Sequence, residues 1–95
     1  MNNKKQIKLK AEMCYQWDWG QYMKSLQTLV DVLKQEGYSV EVDAVPMYGG
    51  KGELEVYIEH NGTFHQVYSK LQTKKFFDAG NVEETVEKIK AILSI

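Results

Sequence analysis

Cys14 is the only cysteine in the chain and the side chain best suited to covalent chemistry. It separates an alternating apolar segment from an amphipathic one, so we expect it at the start of a helix. There the peptide dipoles favour a thiolate, which is a nucleophile and a metal ligand. The second sulfur of a dithiol motif would stand three residues later, but that position holds Trp17. Cys14 is therefore the single candidate nucleophile; the alternative is a partly buried thiol without a chemical role.

Large aromatic side chains cluster in sequence around this cysteine and a glycine-rich loop. Exposed aromatic rings at loop tips often anchor protein partners. The alternative is structural, because Tyr22 falls at helical spacing and one tryptophan can cap the end of a sheet. The candidate binding residues are Tyr15, Trp19, Tyr48, Gly49, Gly50 and Phe77.

Other motifs do not predict a metal or nucleotide site. The glycine loop lacks the Lys-Ser/Thr pair of a phosphate-binding loop and precedes a strand instead of a helix. His60 and His65 are too few and wrongly spaced for a structural zinc site, so we expect both on the surface of a hairpin. We predict no metal ligands and no cofactor, apart from a possible glutathione adduct at Cys14.

Composition limits the class of protein. The chain has 95 residues, 43% hydrophobic, with a net charge of -1 and interspersed lysine and glutamate. This length predicts one domain over residues 1–95. Nucleic-acid binding is disfavoured because there is no concentrated basic face. No apolar run approaches the ~20 residues of a membrane span, and the basic residues 2–5 are no signal peptide. A single unpaired cysteine favours a cytoplasmic location.

The first half of the chain predicts a strand, a helix and a second strand. Apolar residues alternate over residues 7–13 and again over residues 38–44. Between them, Asp18 is a plausible N-cap, apolar residues recur every three or four positions, and Gly37 ends the helix. A strand pair joined by a helix of this length is expected to be parallel.

The second half predicts a β-hairpin and a closing helix. Asn61-Gly62 favours a type I′ turn between two alternating strands. We expect residues 70–75 to be a solvated polar stretch, and Asn81 to cap the last helix with Glu84 as its capping-box partner. The predicted order is βαβββα, a two-layer α+β domain whose four-stranded mixed sheet has both helices on one face. The open, polar face would carry Lys8, Lys10, Glu41, Asp43, Glu55 and Glu59.

Several strings resemble the selenoprotein W-like (Rdx) family, whose domains have a thioredoxin-like fold. The string Gly52-Glu53-Leu54-Glu55-Val56 is similar to the family's G-x-F-E-V at the third strand. Val67-Tyr68-Ser69-Lys70 is similar to its V-x-S-K at the end of the fourth. The resemblance extends from about Ile7 to Leu93. Cys14 of this chain matches the first position of the family's redox motif, and Trp17 stands where the family has its second cysteine or selenocysteine.

The resemblance implies thiol redox work, linked to glutathione or a thiol-bearing protein partner. Because indole cannot resolve a mixed disulfide, we expect Cys14 to act as a monothiol or regulatory thiol. The competing hypothesis is a binding module that retains the scaffold and the aromatic residues without redox turnover. A monomer or a weak homodimer, formed through the polar sheet face or a strand edge, is compatible with both.

Overall fold

The sheet holds four strands in the order β2-β1-β3-β4, in a computed structural model that describes residues 5–95. β1 pairs in parallel with β2 and antiparallel with β3, and β3 pairs antiparallel with β4. This confirms the predicted α+β, thioredoxin-like arrangement, with one additional short helix. The elements are β1 (Gln6–Cys14), α1 (Trp19–Gln35), β2 (Ser39–Met47), β3 (Leu54–His60), β4 (Thr63–Ser69), α2 (Lys70–Thr73) and α3 (Ala79–Leu93).

Helix α1 begins and ends as the sequence predicts. The side chain of Asp18 accepts a hydrogen bond from the backbone N–H of Gln21 at 3.2 Å, which satisfies one free donor of the first turn. After Glu36, Gly37 adopts a φ of 97°, a conformation that favours glycine. The apolar stripe between these ends is buried against the sheet; its members are Tyr22, Leu26, Leu29, Val30 and Leu33.

Strand β2 is longer than the alternation predicts. It continues through Pro46 to Met47 and stays in register with β1, where Met13 is the partner of Pro46. A proline is tolerated here because β2 is an edge strand. The Asn61-Gly62 turn is confirmed, because both residues have the positive φ that a type I′ turn requires, 54° and 77°.

The predicted start of the closing helix is wrong by three residues. The N-cap of α3 is Asp78, whose carboxylate accepts hydrogen bonds from the N–H groups of Gly80 and Asn81. Asn81 is instead the third helical residue, and its side chain accepts a hydrogen bond from the N–H of Asp78 at 2.7 Å. The pair thus forms the capping box, with an asparagine where Glu or Gln is usual.

The structure also corrects the prediction that Glu55 lies on an open face of the sheet. Only 8% of it is exposed, and its carboxylate accepts hydrogen bonds from Ser69 Oγ, Gln66 Nε2 and the N–H of Leu71. The last of these bonds satisfies a donor in the first turn of α2. Part of the predicted solvated stretch is therefore a helix that is held to the sheet by a buried glutamate.

Helices α1 and α3 contact each other and the same face of the sheet. α1 lies over β1 and β2, and α3 lies over β3 and β4. One continuous apolar core fills the space between the two layers. None of the helices within residues 5–95 is long and apolar enough to cross a membrane.

Candidate functional site

Two loops meet where the parallel strands β1 and β2 end. The first spans residues 15–18 and the second residues 48–53. The N–H of Tyr15 donates to the carbonyl of Met47 at 2.9 Å, and Gln16 Nε2 donates to the carbonyl of Tyr48. The side chain of Gln16 also approaches Gly50, where a Cβ would lie 2.9 Å from Oε1. The carboxyl ends of parallel strands are a frequent place for ligand sites in α/β sheets.

Cys14 does not lie at the start of a helix, contrary to the prediction. It is the last residue of β1, and its N–H donates to the carbonyl of Glu53 at 2.9 Å. The helix begins only after Asp18, four residues later in the chain. None of the surface of Cys14 is exposed, at 0%. The strand extends this far because β2 continues beside it and Glu53 supplies a further hydrogen bond, so the thiol lies inside the apolar core.

The aromatic side chains of the two loops are largely uncovered. Tyr15, Trp17 and Tyr48 are exposed by 49%, 58% and 62%, and Trp19 is half-buried against the core. The ring of Tyr15 lies 5.3 Å from those of both Trp19 and Tyr48, within the range of favourable aromatic pairs. We refer to Tyr15, Trp17, Trp19 and Tyr48 as the aromatic rim.

Trp17 covers a glycine in the second loop. Gly52 has a φ of 76°, and a Cβ at this position would lie 2.7 Å from Cη2 of Trp17. Glycine is required here for two reasons, the backbone conformation and the close approach of the indole. The face of Trp17 that is not exposed therefore packs against the chain immediately before β3.

A lysine lies among aromatic rings beside this contact. The Nζ atom of Lys70 is 4.8, 5.4 and 5.8 Å from the ring centroids of Phe76, Tyr22 and Trp17. It donates to the carbonyl of Gly52 at 3.2 Å and to the Tyr22 hydroxyl at 3.5 Å. We refer to this pocket as the Lys70 cage. Local sequence does not reveal the cage, because Lys70 begins a polar stretch; the signal that sequence offers is the position of Lys70 directly after β4.

Glu53 is the second site residue that sequence reasoning missed. It is 6% exposed, and within residues 5–95 its Oε1 atom is buried without a hydrogen-bond partner. Burial raises the pKa of the Tyr22 hydroxyl, and the charges of Cys14 and Glu53 raise it further. The Cys14 thiol and the Glu53 carboxylate therefore lie close enough to the Tyr22 hydroxyl to influence it, and Lys70 contacts the same hydroxyl.

Phe77, which the sequence analysis predicts as a binding residue, lies in the core and not beside the two loops. It is 8% exposed, its ring stacks on Tyr68 at 4.2 Å, and its N–H donates to Ser25 Oγ at 2.9 Å. The two-layer packing of α1 against the sheet places it in the core. Gly49 and Gly50 do lie in the loop beside the aromatic rim.

His60 and His65 lie on either side of the hairpin turn, with ring centroids 6.4 Å apart. Among residues 5–95, no group of three His, Cys, Asp or Glu side chains is arranged to hold a metal ion.

Comparisons with protein-family models, with curated proteins and with solved structures find no match for this chain.

Proposed function

We propose that this chain is a protein-binding module that retains a selenoprotein W-like scaffold and contacts its partner through the aromatic rim. One observation carries the proposal: around the two loops, three aromatic side chains are about half or more exposed while the neighbouring thiol is fully buried. Tyrosine and tryptophan are enriched among the residues that dominate binding energy at protein interfaces. Exposed aromatic side chains that lie together, as Tyr15 and Tyr48 do here, often mark an interaction site.

The position of the rim supports the same function. Its two loops are joined through the contacts of Tyr15 and Gln16 with the β2 end, so the rings are held on a preformed surface. Preformed side chains lose little conformational entropy when a partner binds. The partner would be a protein, because an exposed set of large rings offers contact area but no enclosed cavity for a small molecule.

Thiol redox activity at Cys14 is the alternative, with glutathione or a thiol-bearing protein as the partner. A mixed disulfide forms when a thiolate attacks a disulfide sulfur, so the attacking sulfur must be reached. A thiol with 0% exposure cannot be reached unless the loops above it open. We therefore favour the binding module in a reducing, cytoplasmic setting.

Affinity capture with rim variants tests the proposal. We expect proteins captured by the immobilised wild-type chain to be lost with the double variant Tyr15→Ala/Tyr48→Ala. The matched control is Phe64→Ala, which removes a ring of similar exposure, 50%, near the hairpin turn. Capture that is equal for the rim variant and the control would refute the proposal.

Alkylation and incubation with oxidised glutathione separate the two functions. We expect Cys14 of the folded chain to be modified only at the rate of unfolding, as measured by mass spectrometry with and without urea. A glutathione adduct that forms much faster than unfolding would favour the redox function instead. Capture that persists in Cys14→Ala would support the binding module.

A further inference from the structure

The Lys70 cage has the chemistry of a site that recognises an ammonium group. Three aromatic rings lie within about 6 Å of the Nζ atom, the range in which a ring face attracts a cation. The Gly52 carbonyl and the Tyr22 hydroxyl accept hydrogen bonds from the same atom. An ammonium group has three donors, so rings on several sides and two oxygen acceptors match its needs.

Glu53 places a buried carboxylate beside the cage, and its Oε1 atom accepts no hydrogen bond from Lys70. Glu53 follows Gly52 directly, is 94% buried, and within residues 5–95 its Oε1 atom accepts no hydrogen bond. Buried acceptors in native proteins are almost always paired, so an unpaired one points to a missing partner. Its negative charge lies near the Tyr22 hydroxyl, which is itself a contact of the ammonium group.

We propose that the Lys70 cage is a lysine-recognition site, which Lys70 of the chain occupies until a lysine side chain of the partner protein replaces it. The proposal rests on the proposed function, because Trp17 belongs both to the aromatic rim and to the cage. A partner that contacts the exposed face of Trp17 is therefore next to the cage opening. The partner residue that enters the cage would carry a primary ammonium group.

Self-occupation makes the site selective for a partner that is already bound. A tethered group has an effective concentration on the order of millimolar, so free amines at lower concentration do not displace Lys70. A partner docked on the rim presents its lysine at a similar effective concentration. Exchange then replaces one ammonium group by another with the same ring and oxygen contacts, which makes the two states close in free energy before any hydrogen bond from the partner to Glu53 is counted.

The variant Lys70→Ala empties the cage and allows a direct test. The probe is Nα-acetyl-lysine amide, and its neutral counterpart is Nα-acetyl-norleucine amide. Binding is followed by the NMR shift of the Trp17 indole N–H. We expect saturable binding of the lysine derivative to Lys70→Ala, with a preference of about ten-fold over norleucine, because only the charged group gains the cation–π contacts.

Control variants identify the cage as the binding site. Lys24→Ala removes an exposed lysine of α1 and leaves Lys70 in the cage. Neither this variant nor the wild-type chain should bind either probe. Adding Trp17→Leu to Lys70→Ala should abolish the preference for lysine; because this variant lacks the Trp17 indole, binding to it is followed by the NMR shifts of the Phe76 ring protons. Equal binding of the two probes to Lys70→Ala, or no saturable shift in a folded variant, would overturn the proposal.

A measurement on the wild-type chain keeps the proposal testable if Lys70→Ala does not fold. Ring currents of Trp17, Tyr22 and Phe76 should shift the ε-methylene protons of Lys70 away from those of the other lysines. Unshifted protons would show an empty cage and overturn the proposal. Capture that the rim variant retains is a separate outcome, which refutes the proposed function without testing the cage, so failure of the proposed function and failure of this inference are distinguishable.

Discussion

The aromatic rim and the cluster around Tyr68 use the same types of residue in opposite ways. Tyr68 is buried against Phe77, and its hydroxyl contacts Thr73 Oγ1 at 2.9 Å, Asn81 Nδ2 at 3.2 Å and the carbonyl of Lys75. In the rim, by contrast, Tyr15 and Tyr48 pack on each other and leave about half of their surface in water. The residue type therefore does not tell whether an aromatic ring lies in the core or at an interface. The difference is how much of the ring is covered by the rest of the chain.

The Tyr68 cluster also explains how the polar stretch before α3 is held in place. One phenol hydroxyl joins the end of α2, the loop after it and the first turn of α3. No comparable hydrogen-bond network ties the phenol groups of the rim within the described part of the chain. We therefore expect substitutions in the two aromatic groups to have very different effects on stability.

The largest effect is expected for Phe77→Ala. The substitution leaves a cavity beside Tyr68 and α1, and buried Phe→Ala changes cost about 3–5 kcal/mol. Urea denaturation should show this as a lower free energy of unfolding with an unchanged slope. The matched substitution in the rim is Tyr48→Ala, which should change the free energy by no more than about 0.5 kcal/mol. A loss of similar size in both variants would mean that the rim is a stabilising element.

Gly52→Ala should have the next largest effect, because it disturbs the boundary between the rim and the core. A side chain at a positive φ costs about 1–2 kcal/mol, and the new Cβ would also displace Trp17 from its contact. Urea denaturation measures the first consequence, and a change in tryptophan fluorescence reports the second.

Two glycine controls separate these contributions. Gly62→Ala imposes the same backbone strain at a φ of 77°, with nothing within 4 Å of the new Cβ. Gly49→Ala lies in the rim loop, where the nearest atoms are 3.9 Å away, and should be nearly neutral. If Gly52→Ala and Gly62→Ala lose the same free energy and the fluorescence is unchanged, Trp17 does not pack on Gly52.

The fold was predictable because its signals are local. The α1 stripe, the Asp18 cap and the Asn61-Gly62 turn each depend on residues close in sequence, and the structure has all three. The start of α3 was missed because Asp78 and Asn81 both favour capping positions, and only the geometry of the chain after α2 decides between them.

The site was less predictable because its residues meet through tertiary contacts. Cys14 ends an alternating segment, and local sequence does not reveal that β2 and Glu53 extend the strand around it. Lys70 and Trp17 are far apart in sequence and meet only because β4 ends beside the first loop. A lysine in a polar segment has no local feature that distinguishes a caged ammonium group from a solvated one.

The smallest effect is absent at neutral pH and concerns three phenols, of which Tyr22 and Tyr68 are buried and Tyr57 is partly buried. Burial is the largest cause that raises the pKa of Tyr22, Tyr57 and Tyr68 above the ordinary value of 10.0. In the unfolded chain these groups lose their protons near pH 10, while in the folded chain they keep them. The unfolded state then binds fewer protons, so the free energy of unfolding should fall as the pH rises through about 10.

Urea denaturation at a series of alkaline pH values measures this fall, and Tyr22→Phe should reduce it because phenylalanine does not ionise. The substitution also removes the hydroxyl that Lys70 contacts, so the ring-current shift of the Lys70 methylene protons reports whether the cage stays formed without that bond. The three rings and the Gly52 carbonyl remain, and we expect the shift to persist. A pH dependence that is identical in wild type and variant would mean that the Tyr22 hydroxyl is solvated, which contradicts a cage that is closed to solvent around this hydroxyl.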